Sequence, residues 1–122
     1  MSEEIGAGAG FCHIEIPAPD LEKAKKFYEE VFNWEINSEM GMEGYWFFKT
    51  ENIGGAFSSS LKPSTEGVAV ILNVDDVTGK TSDIKKAGGK IVQGRTEIGG
   101  GMGFYAYFTD INGNKLGIWS QN

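Results

Sequence analysis

The chain is poor in the side chains that most often mark a chemical site. Among its 122 residues there is one cysteine, Cys12, and one histidine, His13. A lone cysteine excludes an internal disulfide and fits a reducing, cytoplasmic setting. Set between apolar neighbours on an expected strand, Cys12 reads as a buried, inert thiol. Basic residues are in the minority: eleven Lys and Arg face seventeen Asp and Glu, for a formal net charge of −6. With no basic cluster and no counterions to release, nucleic acid and anionic membranes are excluded as expected partners. No run is long and apolar enough to span a bilayer. No signal peptide is visible, since "MSEEIGAGAG" is acidic and then Gly/Ala-rich, the opposite of a basic leader; residues 1–10 read as a mobile tail.

What is present is a core-forming composition, 40% hydrophobic and 12% aromatic. A chain of this size buries roughly two-thirds of its unfolded surface, so one compact unit over 11–122 is expected. Apolar residues recur at Leu21, Ala24, Phe27, Tyr28, Val31 and Phe32, one stripe of a helix, with Pro19 and Asp20 at its start. A weaker helical period runs from Asp76 through Val77, Thr81, Ile84 and Ala87 to a stop at Gly88-Gly89. The remainder reads as strands: "FCHIEI", "WEINSEM", "GYWFFKT" and "IGGAFSSS" around the first helix, then "GVAVILNV", "GKIVQGRTEI", "GFYAYFT" and "KLGIWSQ" around the second. The order is strand, helix, three strands, twice over. Internal similarity supports a duplication, with "YWFFKTENIGGAFS" set against "FYAYFTDINGNKLGIWS" so that Tyr45 meets Tyr105 and Gly55 meets Gly117. The modules run over about 11–60 and 67–120, with "LKPSTEG" at about 61–66 as linker. The fold class is therefore α+β, built from two tandem βαβββ modules.

"HIEIPAPDLEKAKKFYEEVFNWE" at the front and "FTDINGNKLGIW" at the end resemble the opening strand–helix and the closing hairpin of the vicinal oxygen chelate superfamily. This superfamily includes glyoxalase I, extradiol dioxygenases, and the bleomycin and fosfomycin resistance proteins. The chain is most similar to its small glyoxalase-like members, although Ile111 stands where the closing hairpin usually carries proline. The resemblance implies the glyoxalase/bleomycin resistance/dihydroxybiphenyl dioxygenase fold, in which mixed sheets curve into a cup. In metal-using members four strand positions hold a divalent ion. Carried over one by one, they fall at His13, Gly55, Ile71 and Gly117. Only His13 has a lone pair to donate, and transition-metal sites need two or three convergent donors. No tightly bound cofactor is expected; a divalent metal would have to be shared with another subunit or with the substrate.

His13 is open to three readings: a core histidine satisfied by a hydrogen bond, a ligand contact, or a general base oriented by Glu15 two residues along the same face. Tyr107 is a third candidate for catalysis, as the resemblance points it toward the family's metal position. Tyr45, Phe47, Gly55, Ile71, Tyr105, Gly117 and Trp119 are the expected lining of an aromatic cup. Met102, at the tip of the glycine-rich "EIGGGMGFY", could touch a ligand from a lid-like connection. Trp34, Phe27, Tyr28 and Phe32 are assigned to the core. Three functions follow: a metal-free binder of a small organic molecule, expected as a homodimer; an enzyme (lyase, isomerase or oxygenase) with His13 as base or ligand; or a non-catalytic protein-interaction domain.

Overall fold

Asp20 starts the first helix as the sequence predicts, its Oδ1 accepting the Lys23 amide at 3.0 Å. In the computed structural model, which describes residues 8–39 and 42–122, ten elements follow in order. They are β1 (Ile14–Pro17), α1 (Leu21–Phe32), β2 (Glu35–Asn37), β3 (Tyr45–Lys49), β4 (Gly54–Ser58), β5 (Ile71–Asn73), α2 (Val77–Lys86), β6 (Lys90–Glu97), β7 (Phe104–Thr109) and β8 (Lys115–Ser120). Helix α1 ends at Asn33, which takes the left-handed conformation with φ 58°. Helix α2 begins at Asp76, whose carboxylate accepts the Thr78 and Gly79 amides, and closes through Gly88 at φ +100°.

The two modules form two four-stranded sheets with the same strand order, β1-β4-β3-β2 and β5-β8-β7-β6. The first strand of each runs parallel to the last, and the other pairs are antiparallel. One face of each sheet packs on the helices. Phe48 and Phe57 supply that face in the first module, and Ala106, Phe108, Leu116 and Ile118 in the second. Burying each large apolar side chain of this kind contributes roughly 1.5–3 kcal/mol. Trp34 lies between Tyr28 and Phe48, with ring centroids 4.6 Å from each. The core crosses between modules, because Phe27 and Phe32 of α1 sit 6.3 and 5.8 Å from Phe108 of β7. The core assignment of the four aromatics around α1 agrees with this packing.

Two expectations change. Cys12 is exposed, not buried. The ladder with β4 starts at Ile14 opposite Gly55, so among the described residues no strand pairs with Cys12 to cover it. The strand expected from Gly67 is only Ile71–Asn73, and Val68 is 98% exposed. Of the tail assigned to 1–10 and the strand drawn through Met40, residues 1–7 and Met40 lie outside the described residues. Among the described residues no helix is long and apolar enough to cross a membrane.

Candidate functional site

Side chains on the helix-free face of the first sheet come from alternate positions. Direct cross-strand neighbours share a face, so the register places Glu15, Ala56, Phe47 and Asn37 in one row and Lys49 with Gly54 and Glu35 in the next. Tyr45 stands opposite Ser58 on the same face. Strand β4 separates β1 from β3, and its residues on this side, Gly54, Ala56 and Ser58, are all small. Tyr45 therefore reaches β1. Its hydroxyl lies 2.7 Å from Glu15 Oε2 and 2.8 Å from His13 Nε2. Phe47 closes the group, its ring 5.3 Å from Tyr45 and 6.3 Å from His13.

A carboxylate only accepts, so the single Tyr45 proton is donated to Glu15. The bond between His13 and Tyr45 must then use a proton on Nε2, which leaves Nδ1 as the free acceptor of the ring. The hydrogen bond to Glu15 is the main cause that raises the Tyr45 pKa above the usual phenol value. Tyr45 is thus held as a neutral donor, and the order Glu15–Tyr45–His13 is fixed.

On the second sheet, the helix-free face carries the row Gln93–Tyr107–Gly117–Ile71 and the row Thr96–Tyr105–Trp119–Asn73. Tyr105 and Tyr107 meet edge to face at 5.7 Å, and the Tyr105 hydroxyl accepts Gln93 Nε2–H at 2.9 Å. A side chain at Gly117 would press against Ile71 Cδ1 at 2.6 Å and the Tyr107 ring at 3.1 Å. The space at Gly117 is already used by these two neighbours. Trp119 Nε1–H donates to the Met102 carbonyl at 2.8 Å, and Gln121 Nε2–H to the Gly101 carbonyl at 2.9 Å. The glycine-rich turn read as a lid is therefore fastened to β8 and its flank, with the Met102 side chain exposed.

Most of the expected residues fall on these two faces, but not in one cluster. His13 and Glu15 are joined by Tyr45, which the sequence reading placed among the lining residues and not in the catalytic group. Tyr107 belongs to the other sheet, and among the described residues no hydrogen bond or ring contact links it to His13 or Glu15. Gly55 requires a correction. It sits opposite Ile14 and Phe48, on the helix-packed face, where an added Cβ would strike the Ile14 carbonyl oxygen and the Phe48 ring. The internal alignment was one residue out of step at β4: Ala56, not Gly55, holds the place that Gly117 holds in β8. By the same register the counterpart of Ile71 is Glu15. The missed role of Tyr45 was signalled by "GGA" in β4, a strand too small on one side to keep its neighbours apart.

The fit to a metal is poor. Among the described residues no group of three His, Cys, Asp or Glu side chains could hold an ion. His13 Nε2 is committed to Tyr45, and Ile71 and Gly117 have no donor. A groove of about 900 Å³ lies beside β5, lined by Ile14, Phe48, Ile71, Leu72 and Lys80; of the expected site residues Ile71 lines it, whereas His13, Glu15 and Tyr45 take no part in it.

Comparison with known proteins agrees with this architecture. The profile of the family described as Glyoxalase/Bleomycin resistance protein/Dioxygenase superfamily matches residues 10–118. A glyoxylase-like domain-containing protein of Didymella fabae is 29% identical over 119 residues, covering 88% of this chain and 91% of the relative. CFP32 of Mycobacterium tuberculosis, provisionally named a glyoxylase, is 26% identical over 89% of this chain, which spans only 44% of that protein's length. Among solved structures, a glyoxalase/bleomycin resistance protein/dioxygenase family enzyme from Burkholderia phytofirmans PsJN superposes with a TM-score of 0.76 at 15% identity, covering 90% of this chain and 97% of that one. The fosfomycin resistance protein FosX of Listeria monocytogenes superposes with a TM-score of 0.75 at 22% identity, covering 92% and 90%. At these identities the structural likeness speaks for the fold.

Proposed function

Because the chain belongs to the glyoxalase/bleomycin resistance protein/dioxygenase superfamily, we propose that it binds a small organic molecule on the helix-free faces of its sheets, without a resident transition metal. The observation that carries this reading is the Glu15–Tyr45–His13 chain. It leaves His13 Nδ1 as an acceptor on a ring that lies 6.3 Å from Phe47, where the family's metal chemistry would require a second and third donor. Aromatic walls with a few oriented polar groups suit a flat, partly apolar ligand. The second sheet offers the same character through Tyr105, Tyr107 and Trp119.

Two faces on separate sheets make half-sites, and a homodimer is the natural way to bring one against the other. Strands β1 and β5 each bond to a single neighbour and so present a free edge. Phe11, Val68 and Ile71, on or beside these strands, are 90%, 98% and 47% exposed. Such edges and apolar residues favour a second copy as the cover.

Catalysis is the second reading, favoured by one feature. A proton taken up at His13 Nδ1 can be matched by transfer of the Nε2 proton to Tyr45 and of the Tyr45 proton to Glu15. An enolisable or acidic substrate would suit that relay. Lyase, isomerase or oxygenase chemistry is not distinguished by it.

The first test is the metal content of untagged protein by elemental mass spectrometry, before and after mild chelation, followed by a thermal-shift screen of aromatic, quinone-like and thiol-conjugate compounds. The expected result is no stoichiometric transition metal and stabilisation by an organic ligand. A stoichiometric metal, or no stabilisation across the libraries, overturns the metal-free binder.

A further inference from the structure

The row of side chains at the turn end of the second sheet is Lys90–Thr109–Lys115. Lys90 pairs with Thr109, and Thr109 with Lys115, so all three point from the helix-free face. Strands are spaced about 4.8 Å apart, which sets the two lysine backbones about 10 Å apart with the threonine hydroxyl between them. Lys115 is half-buried, and its Nζ lies 4.5 Å from the centroid of the Tyr107 ring. That contact holds the ammonium toward the aromatic wall and away from bulk solvent.

The charge around this row is unlike that of the rest of the molecule. The chain as a whole is at −6, and the helix-free face of the first sheet sets Glu15 and Glu35 against the single Lys49. The three paired rows of the second sheet contain two lysines and no Asp or Glu. Among the described residues the ion pairs are Lys25–Glu29 and Lys80–Asp83, and neither Lys90 nor Lys115 enters one. Two ammonium groups and a hydroxyl, free of ion pairs among the described residues and next to two phenols set edge to face, form a complement for an anionic head joined to a flat apolar body.

We propose that Lys90, Thr109 and Lys115 form the subsite for the anionic head of the ligand, which makes that ligand a flat organic acid. The inference rests on the reading of these faces as a small-molecule site and adds the class of molecule. The aromatic body lies over Tyr107 and Tyr105, and the acid group bridges the lysines above Thr109.

The test is a ¹⁵N–¹H NMR titration of the full chain with 2-naphthoate, 2-naphthyl phosphate and the neutral 2-naphthamide. The carboxylate is expected to move the Tyr107, Thr109 and Lys115 amide signals. It should bind about tenfold more tightly than the amide, the scale of a hydrogen bond to a charged group. Lys115→Met is expected to remove that preference, and Lys90→Met to remove part of it. Stronger binding by the phosphate at the same signals supports the subsite and assigns it a dianionic head. Equal affinity for acid and amide, or shifts confined to the His13 face, overturns the subsite and leaves the small-molecule reading standing. Absence of binding by all three probes overturns both.

Discussion

The hydroxyl of Tyr28 in α1 donates to Asp110 Oδ2 in the β7–β8 turn at 2.8 Å, across 82 positions of sequence and from one module to the other. Both groups are buried. Asp110 also accepts the Asn112 and Asn114 amides and Asn114 Nδ2–H, while Asn114 Nδ2–H reaches the Pro17 carbonyl at 2.7 Å. The turn that composition alone reads as a simple connection thus fastens the end of β1 and the first helix to the second module. Tyr28→Phe leaves the buried carboxylate short of one donor and is expected to destabilise the fold by about 1–3 kcal/mol. Urea denaturation checks this, and an unchanged midpoint would deny the hydroxyl any part in joining the modules.

The same pair sets a pH dependence. Burial first, and then the charge and hydrogen bond of Asp110, raise the Tyr28 pKa well above 10.0. A group whose folded pKa is raised contributes stability below its unfolded pKa and loses it as pH rises toward the folded value. Stability is therefore expected to fall as pH climbs above 10.0, and to fall less steeply in Tyr28→Phe. Parallel curves for the two proteins in alkaline denaturation would refute the assignment.

His13 is expected in the Nε2–H tautomer, because the Tyr45 hydroxyl already donates its one hydrogen bond to Glu15. Long-range ¹⁵N–¹H NMR correlations of the imidazole read the tautomer directly. Tyr45→Phe should release the ring to a mixture of tautomers without unfolding the protein, since Tyr45 lies on the outer face. Finding the Nδ1–H form in the unaltered chain would reverse the proposed proton order.

The sequence reading reached the fold because its signals were local and periodic. The stripe from Leu21 to Phe32 and the caps at Asp20 and Asp76 mark helices without knowledge of any neighbour. The site was less legible because its relations are set across strands. That His13 and Glu15 share a face follows from spacing. That Tyr45, some thirty residues on, joins them depends on strand order and on the small residues of β4. A one-residue slip in aligning the modules moved Gly55 to the wrong side of the sheet, since strand side chains alternate with period two. The charged row of Lys90, Thr109 and Lys115 likewise exists only after β6, β7 and β8 are in register.

The two glycines once paired by alignment should respond differently to substitution. At Gly55 a Cβ meets the Ile14 backbone oxygen, which cannot move without disturbing the parallel pair β1–β4. Gly55→Ala is expected to cost about 1–3 kcal/mol, as overpacking in a fixed backbone does. At Gly117 the nearest atom is the flexible end of Ile71, so Gly117→Ala should cost less. Thermal denaturation of both variants settles the order, and a Gly117→Ala penalty equal to or larger than that of Gly55→Ala would contradict the facing assigned here.

The free edges of β1 and β5 make a prediction about assembly. Each strand offers, among the described residues, unpaired backbone groups on one side, and Val68 is an apolar side chain that the described residues leave almost wholly exposed. If a second copy covers these positions, sedimentation velocity should give a dimer whose dissociation depends on concentration. Val68→Glu introduces a charge where the contact is apolar and is expected to weaken the dimer by about tenfold or more, because burying an unpaired carboxylate costs several kcal/mol. The exposed position in the monomer means that the substitution should leave the melting of the isolated chain unchanged. A protein that sediments as a monomer at every concentration, or a dimer indifferent to Val68→Glu, would place the cover of these edges elsewhere and require the two half-sites to work separately.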